Sequence, residues 1–358
     1  MSNGKLKVAV IFGGFSPEYD VSLKSAFSII SAIDREKYEV ILVGITNQGL
    51  WFKYSGPVED IPSDKWHADE SRLKKAFLVP ERGGGLLELV DGRAASVPVD
   101  VVFPVLHGRY GEDGTIQGLC ELAGIPVVGA GSASSALCMD KDRSNKLVSL
   151  AGISLPKSVC FEYAPSDSEL LSSVSGFELP LFVKPVKAGS SFGISMVESH
   201  SGLSAAVKEA FRFDDAVIIE ERVDGFETGC AVVGNKELRV GRVDEIELSH
   251  GFFDYDEKYS LKTSRIHMPA RIGAEVERRI QETAKTIYRA LGCRGYCRID
   301  IFLSNDGEIL FNEANTIPGF TAHSRFPRMM QGAGVEYPEL VDMLIGLALD
   351  VDKGEWYG

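Results

Sequence analysis

The sequence predicts a mixed fold, with an N-terminal doubly wound α/β domain followed by an α+β portion in two subdomains. Its 358 residues exceed what one hydrophobic core usually serves. Apolar runs alternate with helical patterns up to about residue 138, as in a wound parallel sheet. From Met139 onward short strands follow one another with few helices between them, which is the habit of α+β folds.

Val8–Phe12 reads as a buried parallel strand, followed by Gly13-Gly14 and a helix beginning near Ser22. Val40–Ile45 and Val99–Leu106 read as further strands and Thr115–Ala123 as a helix. Residues 52–97, with prolines and Gly83-Gly84-Gly85, are less regular and read as a surface insertion. Past Met139 the strands are Leu181–Lys184, Ile194–Val197, Ala216–Glu220, Gly229–Val233 and Val240–Glu247, with one helix near 202–212. Ala274–Leu291 is an amphipathic helix with Val276, Ile280, Ile287 and Leu291 on one face. A last helix covers about 338–349.

The formal charge of −13 argues against nucleic acid as a partner, because a polyanion needs a basic footprint. An anionic small molecule needs only a few converging Lys and Arg. The apolar run at Val8–Phe12 is too short for a signal-peptide core, and no run approaches the ~18 residues of a membrane span. A cytoplasmic protein is expected, with its six cysteines reduced. Cys293-x-x-x-Cys297 lacks a second pair at zinc spacing and reads as buried thiols.

The most informative stretch is Cys297 to Asn315. Asp306-Gly307 between two apolar runs signals a hairpin. With those two residues as the loop, counting back places Asp300 opposite Glu313 and Arg298 opposite Asn315. Side chains alternate with period two, so all four share one face. Two opposed carboxylates repel, and a divalent cation removes that penalty. Oxygen ligands from Asp300, Glu313 and Asn315 suit Mg²⁺ or Mn²⁺ rather than zinc. A solvated face with one Arg–Asp pair would give the same pattern, and a one-residue slip in the loop would break the opposition.

No GxxxxGK[ST] run occurs, and no GxGxxG follows a strand, so neither a Walker-type loop nor a dinucleotide site is indicated. Instead Lys184 to Gly193 puts a small, flexible Gly/Ser loop between two strands. Its amides and the hydroxyls of Ser190 and Ser191 can cradle phosphate, with Lys184 adding a point charge. Ile218 to Val223 is an apolar strand with a polar end, followed by Glu227; it can offer backbone groups to adenine and a carboxylate to ribose. Either segment could also be an ordinary turn or strand end.

Taken together, the chain resembles the D-alanine–D-alanine ligase family of the ATP-grasp superfamily over nearly its full length. The blocks that carry the resemblance are Phe12–Ser22, Leu106–Gly114, Ala136–Lys141, Lys184–Gly193, Asp256–Tyr259, Gly295–Asp300 and Asn312–Ser324. The resemblance implies an N-terminal α/β domain over 1–138, a central ATP-grasp subdomain over 139–223 and a C-terminal one over 224–358. It implies phosphorylation of the first D-alanine by ATP, attack of a second D-amino acid on the acyl phosphate, and a homodimer through the N-terminal domain. By match of motif, Asp300, Glu313 and Asn315 would bind two Mg²⁺ (or Mn²⁺). Lys141, Lys184 and Lys258 would hold ATP phosphates with Ser190 and Ser191, while Glu220, Glu221, Val223, Glu227 and Asn312 would line the nucleotide side. Glu18 would take the ammonium of the first D-alanine and His107 would sit near it. Arg298 and the Gly319 N–H would stabilise the oxyanion, and Ser324 and Tyr259 would close over the second substrate.

Two positions set the expectation for that second substrate. Phe253 and Arg325 stand where ordinary members commonly show Tyr and an apolar Leu or Met, and the pair resembles the D-alanine–D-serine ligases of vancomycin-resistance clusters, VanG type. Glu257-Lys258-Tyr259 is intact, which favours an amine nucleophile over the hydroxyl of D-lactate. The expected product is therefore D-alanyl-D-serine for peptidoglycan precursors. Rival readings are D-alanyl-D-alanine synthesis, another ATP-grasp carboxylate–amine ligase, and a non-catalytic nucleotide-binding protein of this fold.

Overall fold

The computed structural model describes residues 4–189, 192–248 and 264–351. They form three sheets, of seven, four and five strands. In chain order the first part holds β1 (Leu6–Gly13), α1 (Tyr19–Ala32), β2 (Tyr38–Ile45), β3 (Trp51–Tyr54), β4 (Leu73–Leu78), β5 (Leu86–Val90), β6 (Arg93–Val97), β7 (Val101–Val105) and α2 (Thr115–Ala123). β1 runs parallel to both β2 and β7, so the expected wound core is present. β1 is buried along most of its length, as a continuous apolar run in a parallel sheet must be.

Residues 52–97 are not a surface insertion. β3 to β6 pair antiparallel in succession and extend the same sheet to the order β6-β5-β4-β3-β2-β1-β7. Trp66, from within this stretch, is fully buried and stands edge-on to Phe12 and Tyr54 at 5.2 and 6.0 Å between ring centroids. Gly44 makes room for it: a Cβ there would lie 2.3 Å from the indole. Short strands of mixed polarity carry little periodicity, so the sequence pattern did not reveal them.

The second part begins with α3 (Ser132–Met139) and α4 (Lys141–Leu150). It continues through β8 (Ser158–Phe161), α5 (Asp167–Ser173), β9 (Leu181–Pro185), β10 (Ser195–Val197), α6 (Leu203–Ala210) and β11 (Val217–Glu221). Its sheet is antiparallel, in the order β10-β9-β11-β8.

The third part holds β12 (Gly225–Val233), β13 (Arg239–Leu248), β14 (Ser264–His267), α7 (Ala274–Ala290), β15 (Tyr296–Ser304), β16 (Ile309–Asn315), α8 (Arg325–Gly332) and α9 (Tyr337–Val351). The strand order is β14-β13-β12-β15-β16. Cys230, Val232, Val243, Ile299 and Ile301 face α7, packing on its buried Ile280, Ala284 and Ile287. By alternation the opposite face carries Glu227, Gly229, Asp244, Arg298 and Asp300. The last helix leaves this sheet for the N-terminal one. Leu340, Leu344 and Ile345 share a core with Val8, Phe12 and Ile29, and Asp342 bonds Lys37 and Tyr38 at 2.8 Å each. All six cysteines are free thiols, and Cys138 approaches Cys293 to 3.6 Å between sulfurs. Among the described residues no helix is long and apolar enough to cross a membrane.

Candidate active site

The β15–β16 hairpin supplies the centre of the site, and its register is built differently from the sequence count. The loop has three residues, not two: Gly307 N–H donates to the Ser304 carbonyl (3.0 Å) and Ser304 N–H to the Glu308 carbonyl (2.9 Å). Gly307 takes φ +86°, the left-handed position that three-residue hairpin loops require. Leu303 therefore faces Ile309 and Ile301 faces Phe311, one residue off the count. The ladder then shifts between Asp300 and Ile301, leaving Asn312 as a bulge that restores the predicted pairs. Asp300 stands opposite Glu313 and Arg298 opposite Asn315. Two departures from the simple count cancel, and the four polar side chains share one face.

On that face Asp300 is fully buried and sits at the centre of a charge network. Arg298 grips it with two arms, Nε to Oδ1 at 2.8 Å and Nη2 to Oδ2 at 2.7 Å, a bidentate geometry stronger than a single bond. Asn315 donates to Asp300 at 2.9 Å. Arg325, the first residue of α8, lies 3.4 Å from the same carboxylate. Burial pulls Arg298 down, but Asp300 and Glu313 outweigh it and hold the guanidinium charged.

Arg325, expected at the second substrate, is more deeply built in than the sequence suggested. Arg325 is only 10 % exposed, so it is not a surface arginine. It forks onto Asp244 at 2.8 Å through both Nε and Nη2 and reaches Glu227 at 3.3 Å. Gly229 lies beneath it, between Asp244 and Asp300 on the flanking strands; a Cβ there would come within 2.4 Å of Arg325 Nη2 and 2.8 Å of Asp244. Gly229→Ala is expected to push the guanidinium off the sheet and cost about 1–3 kcal/mol, measurable by denaturant titration. Asp244 was missed in the sequence, although it shares a face with Glu227 and Asp300 and sits opposite a glycine.

The residues expected on the nucleotide side lie between the second and third sheets. Lys184 on β9 pairs with buried Glu220 on β11 at 2.5 Å. Burial lowers the Lys184 pKa, yet Glu220, Glu313 and Glu227 more than offset it, so the ammonium stays charged. Lys141 opens α4, donates to the Ala188 carbonyl at 3.1 Å and lies 4.0 Å from Glu313. Asn312, on the bulge, donates to Glu227 at 3.4 Å. Val223 is in the link from β11 to β12. Glu221 points away from Glu220: its carboxylate takes Lys157 at 3.1 Å and the Glu178 N–H at 2.6 Å, so its side chain is committed elsewhere.

The residues expected to meet the first substrate come from loops and a helix start beside the N-terminal sheet. Glu18 precedes the first turn of α1 without a side-chain capping bond and packs so closely on Gly108 that a Cβ there would lie 2.3 Å from Oε2. His107 lines the same space, but both its ring nitrogens are engaged, Nδ1 with the Ile317 carbonyl at 2.8 Å and Nε2 with Ser25 Oγ at 3.2 Å. Burial keeps this imidazole neutral. The Ser324 hydroxyl meets Thr321 N–H and Oγ1 at 3.0 and 2.9 Å and faces Gly319. Glu18, His107, Lys141, Arg298, Glu313, Asn315, Gly319, Ser324 and Arg325 converge on one cleft of about 470 Å³. Ser190, Ser191, Phe253, Lys258 and Tyr259 lie outside the described residues.

Asp300 and Glu313, opposed on adjacent strands with Asn315 alongside, form an all-oxygen donor set that fits a hard divalent cation. Among the described residues no group of three His, Cys, Asp or Glu side chains is arranged for a metal; two carboxylates and an amide are what the hairpin offers.

Comparison with known proteins identifies the family. Residues 7–130 match the family described as D-ala D-ala ligase N-terminus and residues 147–346 the D-ala D-ala ligase C-terminus. The crystal structure of VanG D-Ala:D-Ser ligase from Enterococcus faecalis is 55 % identical with a TM-score of 0.90, over 96 % of this chain and 100 % of that one. The vancomycin B-type resistance protein VanB of the same species is 44 % identical over 97 % of this chain and 99 % of its own length. A D-alanine–D-alanine ligase of Caldicellulosiruptor bescii is 43 % identical over 98 % and 96 %. The chain belongs to the D-alanine–D-alanine ligase family, whose members are ATP-dependent ligases.

Proposed function

We propose that this enzyme joins D-alanine to D-serine, using ATP, for peptidoglycan precursors of the vancomycin-resistant kind. The observation that carries the reading is Arg325, buried beside Arg298 in the cleft and held by Asp244. A guanidinium has five N–H donors, and four contacts to Asp244, Asp300 and Glu227 engage this one, so a donor remains for a substrate hydroxyl. The likeness to the VanG enzyme supports the same choice.

A carboxylate is a poor acyl donor until it is phosphorylated. Glu18 takes the ammonium of the first D-alanine, while Lys141 and Lys184 hold the ATP phosphates. Asp300, Glu313 and Asn315 would hold two Mg²⁺ or Mn²⁺ ions, which when bound neutralise phosphate charge. Arg298 and the Gly319 N–H face the acyl carbonyl, where negative charge grows as the second amine attacks; donors pre-set at that point lower the barrier without reorganising. Ser190, Ser191, Lys258, Tyr259 and Phe253 complete the lid and second subsite in this reading. Sheets confined to 6–105, 158–221 and 225–315 support the division at 138 and 223. The enzyme works in the cytoplasm as a homodimer through its N-terminal domain, which sedimentation velocity tests.

The decisive assay is ADP release with D-alanine alone against D-alanine plus D-serine. D-Serine is expected to raise the rate, and an undiminished preference for D-alanine favours D-alanyl-D-alanine synthesis instead. Arg325→Leu should shift preference toward D-alanine by about 10–100-fold, since a hydrogen bond to a charged group contributes about 1.5–3 kcal/mol. An unchanged D-serine/D-alanine ratio in folded Arg325→Leu would remove Arg325 from the specificity account.

A further inference from the structure

The loop after β7 contains a carboxylate that none of the roles above uses. Glu112 Oε2 accepts the Gly108 N–H at 2.8 Å, and Oε1 accepts the Ile317 N–H at 3.0 Å. The carbonyl of the same Ile317 accepts from His107 Nδ1 at 2.8 Å. That assigns the imidazole tautomer: Nδ1 carries the proton, and Ser25 Oγ, which takes the Phe320 N–H at 3.3 Å, can donate its own hydrogen to Nε2. One loop of the N-terminal part thus holds both the N–H and the C=O of a single residue 205 positions or more further along the chain. Ile317 stands between Asn315 on the metal side and Gly319 on the oxyanion side.

We infer that Glu112 is a positioning residue, which together with His107 clamps Ile317 through the peptide groups on either side of it and so sets where the Gly319 N–H and Asn315 point. A backbone N–H that must meet a transient charge is only as well placed as the turn that carries it, and a displacement of about 1 Å can cost about 100-fold. The clamp also joins the first-substrate pocket to the reacting centre, because the Glu112 turn is the one against which Glu18 packs. Both Glu112 oxygens accept, so the grip is complete only in the ionised form. Burial, then the Glu18 carboxylate, push the Glu112 pKa up to about 8, against the Gly108 and Ile317 N–H groups and Arg298. Glu18 and Arg298 are the charged groups that act on it, His107 precedes its partner Gly108 on the same loop, and its charge also reaches Cys138 and Tyr296. The ionised fraction falls as pH falls through that value, and the grip loosens with it.

The test uses the full chain with ATP, Mg²⁺, D-alanine and a saturating second amino acid. Glu112→Gln keeps size but offers one acceptor; Glu112→Asp keeps charge but not reach. Each should lower kcat by about 10–100-fold, the range for a group supporting a reacting centre, with the KM for ATP within about twofold and the unfolding midpoint close to that of the unsubstituted enzyme. In the unsubstituted enzyme kcat/KM for the first D-alanine should climb as pH rises through about 8, and this limb should vanish in Glu112→Gln. His107→Ala combined with Glu112→Gln should lose less than the product of the single losses, since both act on Ile317. Unsubstituted kcat in both folded Glu112 variants, a retained limb in Glu112→Gln, or fully multiplicative losses would each overturn the inference. It rests on Arg298 and Gly319 facing the reacting carbonyl; failure of that reading appears separately, as full activity in Arg298→Ala.

Discussion

Arg298→Ala is expected to lower kcat by about 100–1000-fold, the loss typical when one donor to a developing oxyanion is removed. The KM for ATP should change little, because the phosphate lysines belong to other elements. Lysine should not rescue the activity: Arg298 holds Asp300 through two arms at 2.8 and 2.7 Å while facing the cleft, and an ammonium cannot fork. The fold should survive, since Arg325 and Asn315 still approach Asp300 at 3.4 and 2.9 Å. ADP release and thermal unfolding measured on the same preparation check both halves. Retention of more than a tenth of kcat in Arg298→Ala would sink the oxyanion role.

Asp300→Ala should be damaging in a different way, costing stability as well as activity. Asp300 is 1 % exposed at its side chain, with Arg298 and Arg325 at 13 % and 10 %. Removing it leaves two buried guanidinium groups sharing one fewer counter-charge. Breaking a buried pair by deleting one partner costs about 3–5 kcal/mol. Activity should disappear at any Mg²⁺ concentration, because Glu313 loses its opposed carboxylate. Removing divalent metal from the unsubstituted enzyme should look quite unlike this. EDTA should abolish ADP release yet leave the unfolding midpoint within a few degrees, since Arg298 and Arg325 already balance Asp300 without a metal. A midpoint that collapses on chelation would mean the carboxylate pair needs the cation to fold.

The hairpin shows how much of the site was legible and why. Period-two alternation put Arg298 with Asp300 and Glu313 with Asn315, a local property of each strand, but whether the two pairs share a face depends on register. The loop itself was misjudged by one residue, and the bulge at Asn312 compensated; neither is written in the Asp306-Gly307 dipeptide. Glu112 lay inside the Leu106–Gly114 block that marks the family, yet its partner Ile317 is 205 residues away, and no local pattern links the two.

By itself, then, the sequence determined the parallel strands, the long amphipathic helix, the pairing of Arg298 with Asp300 on one face of its strand and of Glu313 with Asn315 on theirs, and the family. These rest on short-range periodicity and on contiguous motifs. Only the tertiary structure decided that residues 52–97 extend a sheet, that Arg325 is buried on Asp244 across 81 residues, and that His107 is tied to Ile317 rather than left with a free ring nitrogen. Such pairings are chosen by burial, where a charge or donor must find whichever partner the packed chain brings within reach.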